Sequence, residues 1–269
     1  MLALPAVRKL ALEHGIDLDG VRGSGPDGRI ERKDVQSLIE AAASADSSDH
    51  PAPRHRQVIA QRLTRSAQTI PQITLMASAD MTRARALLDA QRAAGLPSLG
   101  YTHLILRAVA RALRAHPRLN ALWLTDGPTL RTLARANVGL AIAAEDNLLV
   151  ATIAAPDRLS LPELVGTVGE ATQRGRSGAL AQADTAPAAI TVSNLGMHRV
   201  DAFLAIVDPD QTAILAVGRV AERVVVNDGG ISVAPQVTLS LTVDHRVAGG
   251  VAAARFLETI CAELERGVE

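Results

Sequence analysis

A chain of 269 residues that is 48% hydrophobic can bury one sizeable core and still carry a small second module. Its 28 basic and 28 acidic residues cancel, which excludes a sequence-wide basic field for nucleic acid, and one Trp, one Tyr and two Phe leave no stacking surface for bases. No stretch approaches the roughly 18–20 apolar residues of a membrane span. The start, Met1-Leu2-Ala3-Leu4-Pro5 followed by Arg8 and Lys9, lacks the ordered regions of a signal peptide. Cys261 is the only cysteine, so no intrachain disulfide forms; a reducing cytoplasm and a buried, small-hydrophobe role for Cys261 are expected.

Pro5 opens a first helix at the position where proline is tolerated, Val7, Leu10 and Ala11 recur at helical spacing, and Gly15 stops the run with Ile16 as its hydrophobic contact. Gly23-Ser24-Gly25-Pro26-Asp27-Gly28-Arg29-Ile30 is a compact loop. It lacks the Gly-Lys-Ser/Thr ending of a phosphate-binding loop and follows no strand, so it is read as structural. Asp34 is expected to tie this loop through backbone N–H groups. A second helix is predicted over residues 32–43, with Val35, Leu38 and Ile39 inward. Residues 1–43 thus form a miniature domain, and residues 44–54, rich in Ser, Ala and Pro, form a linker. His50 and His55 flank the linker's end without a partner at metal-ligand spacing, and no metal is expected.

Residues 55–269 read as the large domain. Helices are predicted near residues 57–68, 82–93, 102–115, 161–174 and 251–266. In the most regular of them, Leu104, Ala108 and Ala112 line one stripe and Pro117 ends the run; His103 and His116 are expected at the surface or in caps. Strands are predicted at residues 73–79, 138–143, 148–154, 190–193, 212–217, 220–226 and 231–243. The turns between them fall at Glu145-Asp146-Asn147 and Asn227-Asp228-Gly229-Gly230. Without a strict βαβ rhythm, the expected class is α+β, a sandwich of helices on one face of a mixed sheet. The last strand delivers His245 to a rim just before Gly249-Gly250. Leu239, Leu241 and Val243 share one face, and Ser240, Thr242 and Asp244 the other. An imidazole with packed structure behind it and an open turn in front suits a base of fixed position.

The small domain, from Pro5-Ala6-Val7-Arg8-Lys9-Leu10-Ala11 through the glycine loop to Asp34-Val35, resembles the peripheral subunit-binding domain of 2-oxo acid dehydrogenase E2 components. The large domain resembles their acyltransferase core. The matching strings are Ile59-Ala60-Gln61-Arg62-Leu63-Thr64, Thr69-Ile70-Pro71, Asn120-Ala121, Ser193-Asn194-Leu195-Gly196-Met197, Ala213-Ile214-Leu215-Ala216-Val217-Gly218 and Asp244-His245-Arg246. The resemblance implies a chloramphenicol-acetyltransferase-like fold, a homotrimer or a cage of trimers, and transfer of an acyl group between dihydrolipoamide and coenzyme A. The site would be a channel between protomers. It implies His245 as base and Ser193 as hydrogen-bond donor to the tetrahedral oxyanion, with Asn194 and Gly196 shaping the turn. Arg8, Lys9, Arg29 and Arg32 are the implied contacts to the dehydrogenase partners E1 or E3.

Two departures stand out. The family pattern His-Arg-x-x-Asp-Gly has Gly249 where aspartate is expected. That aspartate pairs with an arginine in related enzymes. Arg62 is the candidate here, and it must find Asp244, another acid or water. Weakened rather than abolished catalysis is expected. The second departure is at the front: Lys9 and Lys33 are the only lysines, and neither lies in a lipoyl hairpin. The lipoyl group is therefore expected in trans, from a lipoyl domain of another chain. The competing readings are a non-catalytic E2-like scaffold that trimerises and docks E1 or E3, and a free-standing acyltransferase, against which the docking domain argues.

Overall fold

In the computed structural model, which describes residues 3–45, 50–124, 128–144, 147–227 and 229–268, Pro5 stands in the first turn of helix α1 (Pro5–Glu13). Gly15 ends that helix region with φ +62°, a left-handed conformation that glycine adopts without strain, and the Ile16 N–H donates to the Ala11 carbonyl at 2.8 Å. Helix α2 runs over Arg32–Ala45, two residues beyond the expected end. Val7, Ala11, Leu18, Ile30 and Val35 form the core of this first unit, Met1–Pro53. The glycine loop is structural. A Cβ at Gly23 would lie 2.2 Å from the Arg29 carbonyl carbon, so only glycine fits. The Asp34 carboxylate accepts hydrogen bonds from the Ser24 side chain and from the backbone N–H groups of Ser24 and Glu31, the last two at 2.9 Å, and these bonds hold its pKa down at about 2.

The second unit, Arg54–Glu269, begins with α3 (Arg54–Thr69), which starts inside the expected linker; residues 46–49 of that linker lie outside the described residues. Then follow β1 (Gln72–Asp80), α4 (Thr82–Ala93), α5 (Tyr101–Ala115), β2 (Ala121–Leu124), β3 (Thr129–Thr132), β4 (Val138–Ala144) and β5 (Asn147–Ile153). The chain continues through α6 (Leu161–Arg176), β6 (Ile190–Asn194), β7 (Ala213–Val217), β8 (Ala221–Asn227), β9 (Gly230–Asp244) and α7 (Gly250–Glu265). Glu145, Asp146 and Asp228 of the expected turns lie outside the described residues. Among the described residues the main sheet has seven strands in the order β1-β9-β7-β6-β4-β5, with β8 paired to the free half of β9. The β4–β6 and β6–β7 pairs are parallel and the others antiparallel, so the sheet is mixed as expected.

Leu104, Ile105, Val109 and Leu113 of α5 and Phe256, Leu257 and Ile260 of α7 pack with Val192, Leu215, Leu239, Leu241 and Val243 of the sheet. Phe256 is wholly buried, edge-on to His116 at 5.8 Å between ring centroids. Its full burial removes apolar surface worth about 2–3 kcal/mol from water. Cys261 is buried in the same layer, which pushes its thiol up to about 11. The β2–β3 hairpin went unpredicted. Each strand has four residues and β3 is exposed throughout, so no alternation of buried and exposed positions marks it.

Candidate active site

His245 follows the last residue of β9 and its side chain is exposed. The backbone around it is fixed. The His245 N–H donates to the Pro71 carbonyl at 2.9 Å, and the N–H groups of Val247 and Ala248 donate to the Asp244 carbonyl at 3.0 and 3.1 Å. Asp244 is buried, with a side chain 1% exposed, and Arg246 grips it as a fork. Arg246 Nη2 reaches Oδ2 at 2.7 Å, Nε reaches Oδ1 at 3.0 Å, and the Arg246 backbone N–H adds Oδ1 at 2.9 Å. Burying a carboxylate costs free energy that a paired, hydrogen-bonded geometry such as this one offsets. The Arg246 guanidinium also lies over the ring of Trp123, 5.1 Å from its centroid. Gly249 stands at the N-cap of α7, and a Cβ there would come 4.0 Å from His245 Cε1 with nothing nearer.

Ser193 is the penultimate residue of β6, half-buried, at the opposite end of the sheet. It lines a 370 Å³ cavity with Thr102 and His103 of α5, Leu140 and Ile142 of β4, and Val168 of α6. Asn194 has both ends of its amide engaged. Nδ2 donates to Thr102 Oγ1 at 2.9 Å, and Oδ1 accepts the Gly196 N–H at 2.7 Å. It therefore builds the turn, as expected. Gly196 is required there, because a Cβ would sit 2.8 Å from the Gly218 carbonyl oxygen. His103 is buried at the start of α5, where Gly100 N–H lies 3.0 Å from its Nδ1; burial lowers its pKa below the ordinary value. His116 meets Thr259 Oγ1 at 2.8 Å between α5 and α7.

One protomer does not bring Ser193 and His245 together. Ser193 pairs with Ala216 and Ala216 with Ser240, which lies five residues before His245 and two strands from Ser193. At about 3.3 Å per residue and 4.8 Å per strand, the two Cα atoms are about 19 Å apart. Arg62, expected to find Asp244, another acid or water, finds another acid. It pairs with Asp208 at 2.7 Å and Asp210 at 2.8 Å, because Asp244 is already taken by Arg246 and position 249 has no side chain. In the first unit, Arg8 Nε donates to the Ala3 carbonyl at 3.2 Å, Lys9 pairs with Glu13, and Arg29 and Arg32 are exposed. Among the described residues no group of three His, Cys, Asp or Glu side chains gathers to hold a metal, and no helix is long and apolar enough to cross a membrane. Thr102, Trp123 and Arg246 went unnoticed as parts of the site. Arg246 was legible as a neighbour of His245, whereas the other two come from distant elements.

A mixed-sheet α+β unit with a rim histidine, a strand-end serine and a small helical unit in front defines a class of two-unit proteins. The matches to known proteins place the chain within that class. Residues 44–268 match the 2-oxoacid dehydrogenases acyltransferase (catalytic domain) family and residues 1–36 match the e3 binding domain. The chain belongs to the 2-oxoacid dehydrogenase acyltransferase family. It is 34% identical over 298 residues to the dihydrolipoyllysine-residue acetyltransferase component of the mitochondrial pyruvate dehydrogenase complex of Schizosaccharomyces pombe, covering 100% of this chain and 61% of the relative. The corresponding component from Bacillus subtilis is 31% identical over 97% of this chain and 65% of its own length. The chain thus spans a little under two thirds of the length of these relatives. Two solved structures, the cubic core of the pyruvate dehydrogenase multienzyme complex and the dihydrolipoamide acetyltransferase of Azotobacter vinelandii, each superpose with TM-score 0.77 at 32% identity. Each comparison covers 81% of this chain and 91% of that one.

Proposed function

We propose that the chain transfers an acyl group between dihydrolipoamide and coenzyme A within a 2-oxo acid dehydrogenase complex, at a centre completed by two copies of the chain. The observation that carries this reading is the pairing of an exposed imidazole on an immobile turn with a serine too distant to serve it in the same protomer. The Azotobacter structure is described as an investigation of a serine, a histidine and an asparagine in the catalytic mechanism. Its serine and histidine are separated by the same number of residues as Ser193 and His245, and its asparagine is the fourth residue after the histidine. The corresponding position here is Gly249.

In this mechanism neutral His245 takes the thiol proton as the sulfur attacks the thioester carbonyl carbon. A carbon–sulfur bond forms, and the carbonyl oxygen becomes an oxyanion that accepts a hydrogen bond from Ser193 Oγ of a neighbouring copy. Collapse breaks the other carbon–sulfur bond, and the departing thiolate recovers the proton from the imidazolium. A head-to-tail contact that joins the Ser193 end of one copy to the His245 end of the next closes into a ring, as in a homotrimer, and larger cages follow from such rings. The cubic core relative supports that assembly. The first unit docks E3 or E1 through Arg8, Lys9, Arg29 and Arg32, a role supported by its e3 binding domain match. Both lysines lie in this first unit, so the lipoyl thiol reaches the site on another polypeptide segment.

The bare position at Gly249 favours the second reading, a scaffold with little or no turnover. Acyl transfer from acetyl-, isobutyryl- and succinyl-CoA to dihydrolipoamide separates the two. Turnover with at least one donor is expected, and His245→Ala should lower it about 10²–10⁴-fold. Equal turnover in the two proteins rejects the enzyme reading.

A further inference from the structure

Three facts about the His245 turn belong together. Position 249, the N-cap of α7, contributes no side chain, although its φ of −74° admits any residue and a Cβ would meet only His245 Cε1. Arg62 is committed to Asp208 and Asp210. The residues on either side of His245, by contrast, are locked to each other, with Asp244 buried and forked by Arg246. Locking residues 244 and 246 while Pro71 holds the His245 N–H leaves the imidazole only its own side-chain torsions.

The fork has its own support. The Arg246 guanidinium lies over the ring of Trp123, on β2. A guanidinium stacked on an aromatic face is pre-organised for a planar, two-toothed contact, which an ammonium cannot make. Strand β2 is anchored to the same place. Thr212 Oγ1 donates to the Ala121 carbonyl, and the Thr212 carbonyl accepts the Asp244 N–H at 2.8 Å. Thr212 is wholly buried, so the hairpin and the histidine turn share one fixed point.

We propose that Trp123 and Arg246 are positioning residues for acyl transfer: Trp123 covers the guanidinium, the guanidinium forks Asp244, and the fork aims the imidazole of His245. The proposal rests on the reading of His245 as the base. In this chain the clamp does the aiming that a side chain at position 249 would otherwise assist. Loosening it lets the imidazole wander, so the loss falls on kcat.

The test uses the full chain with acetyl-CoA, or whichever donor it turns over, and dihydrolipoamide. Trp123→Leu is expected to lower kcat about 10-fold and Arg246→Lys about 100-fold, with KM changed less than about 2-fold. Trp123→Phe, which keeps an aromatic face, should retain most of kcat. Hydrogen exchange at the Arg246, Val247 and Ala248 amides should quicken in the Leu and Lys variants. Trp123 is the only tryptophan, so its emission should shift in Arg246→Lys as the cation leaves the ring. Wild-type kcat in both Trp123→Leu and Arg246→Lys, alongside a dead His245→Ala, overturns the clamp and spares the base. Equal losses in the Phe and Leu variants, accompanied by a lowered Tm, also overturn it, since that pattern marks general destabilisation. Full turnover in His245→Ala instead removes the underlying reading.

Discussion

The two ends of the main sheet are built in opposite ways. At the His245 end the fixing contacts are short in sequence: Asp244 to Arg246, Val247 and Ala248, with Pro71 and Trp123 added from outside. At the Ser193 end the contacts are long. A 370 Å³ cavity is enclosed by β4, β6, α5 and α6, and Asn194 reaches back to Thr102 of α5. The first arrangement makes a stiff mount for one side chain. The second makes a shaped space whose lining can change without disturbing any single turn. That difference suits the proposed roles, a base of fixed position at one end and a cavity that fits a substrate at the other. The two ends lie about 19 Å apart in one protomer, which is why the proposed centre needs two copies of the chain.

The sharpest way to break the comparison is Ser193→Ala. If the cavity end supplies the oxyanion donor, turnover measured in steady state should fall about 10²–10³-fold while substrate KM values hold. An unchanged kcat would reduce Ser193 to a strand-end residue. Mixing tests whether the ends meet across copies. Ser193→Ala and His245→Ala chains, unfolded and refolded together in equal amounts, should regain turnover at about one quarter of the centres, as random assembly of a cyclic trimer requires. No recovery, despite mixed oligomers by native mass spectrometry, would put both residues in one protomer's service.

The smallest expected effect concerns acid. Burial lowers the His103 pKa, so its folded value lies below its unfolded value of about 6.5. Stability from neutral His103 is therefore fully present above that unfolded value and is lost as pH falls through the folded one. As pH falls from 7 to 5 the amides of Gly100 and Tyr101 at the cavity end should lose protection, read as exchange relative to the intrinsic rate at each pH. Those of Arg246 and Val247 should hold, because Arg246 keeps its charge throughout. Equal loss of protection at both ends would remove this distinction.

The histidine end was largely legible in the sequence. Alternating apolar residues fixed the strand, Gly249-Gly250 marked its exit, and Asp244 and Arg246 adjoin His245. The serine end was legible only through resemblance, because Ser193 in isolation is an ordinary strand-end residue. For Arg62 the sequence left three partners open, Asp244, another acid or water, and the structure selects another acid for a local reason. Asp244 faces inward and is neutralised two residues away, so the arginine of α3 finds Asp208 and Asp210 instead. Trp123 was missed because its four-residue strand is too short to show a period.

Sequence alone determined the two-unit organisation, the α+β class, the bounds of most helices and strands to within a few residues, and the role of Asp34 in its loop. Each of these depends on residues close in the chain, where periodicity, capping and turn chemistry act. Only the tertiary structure decided the strand order, which charge answers Arg62, what covers Arg246, and that Ser193 and His245 face away to opposite ends of one sheet. Those outcomes depend on which distant segments compete for the same buried partner, and nothing local to a residue records the result of that competition.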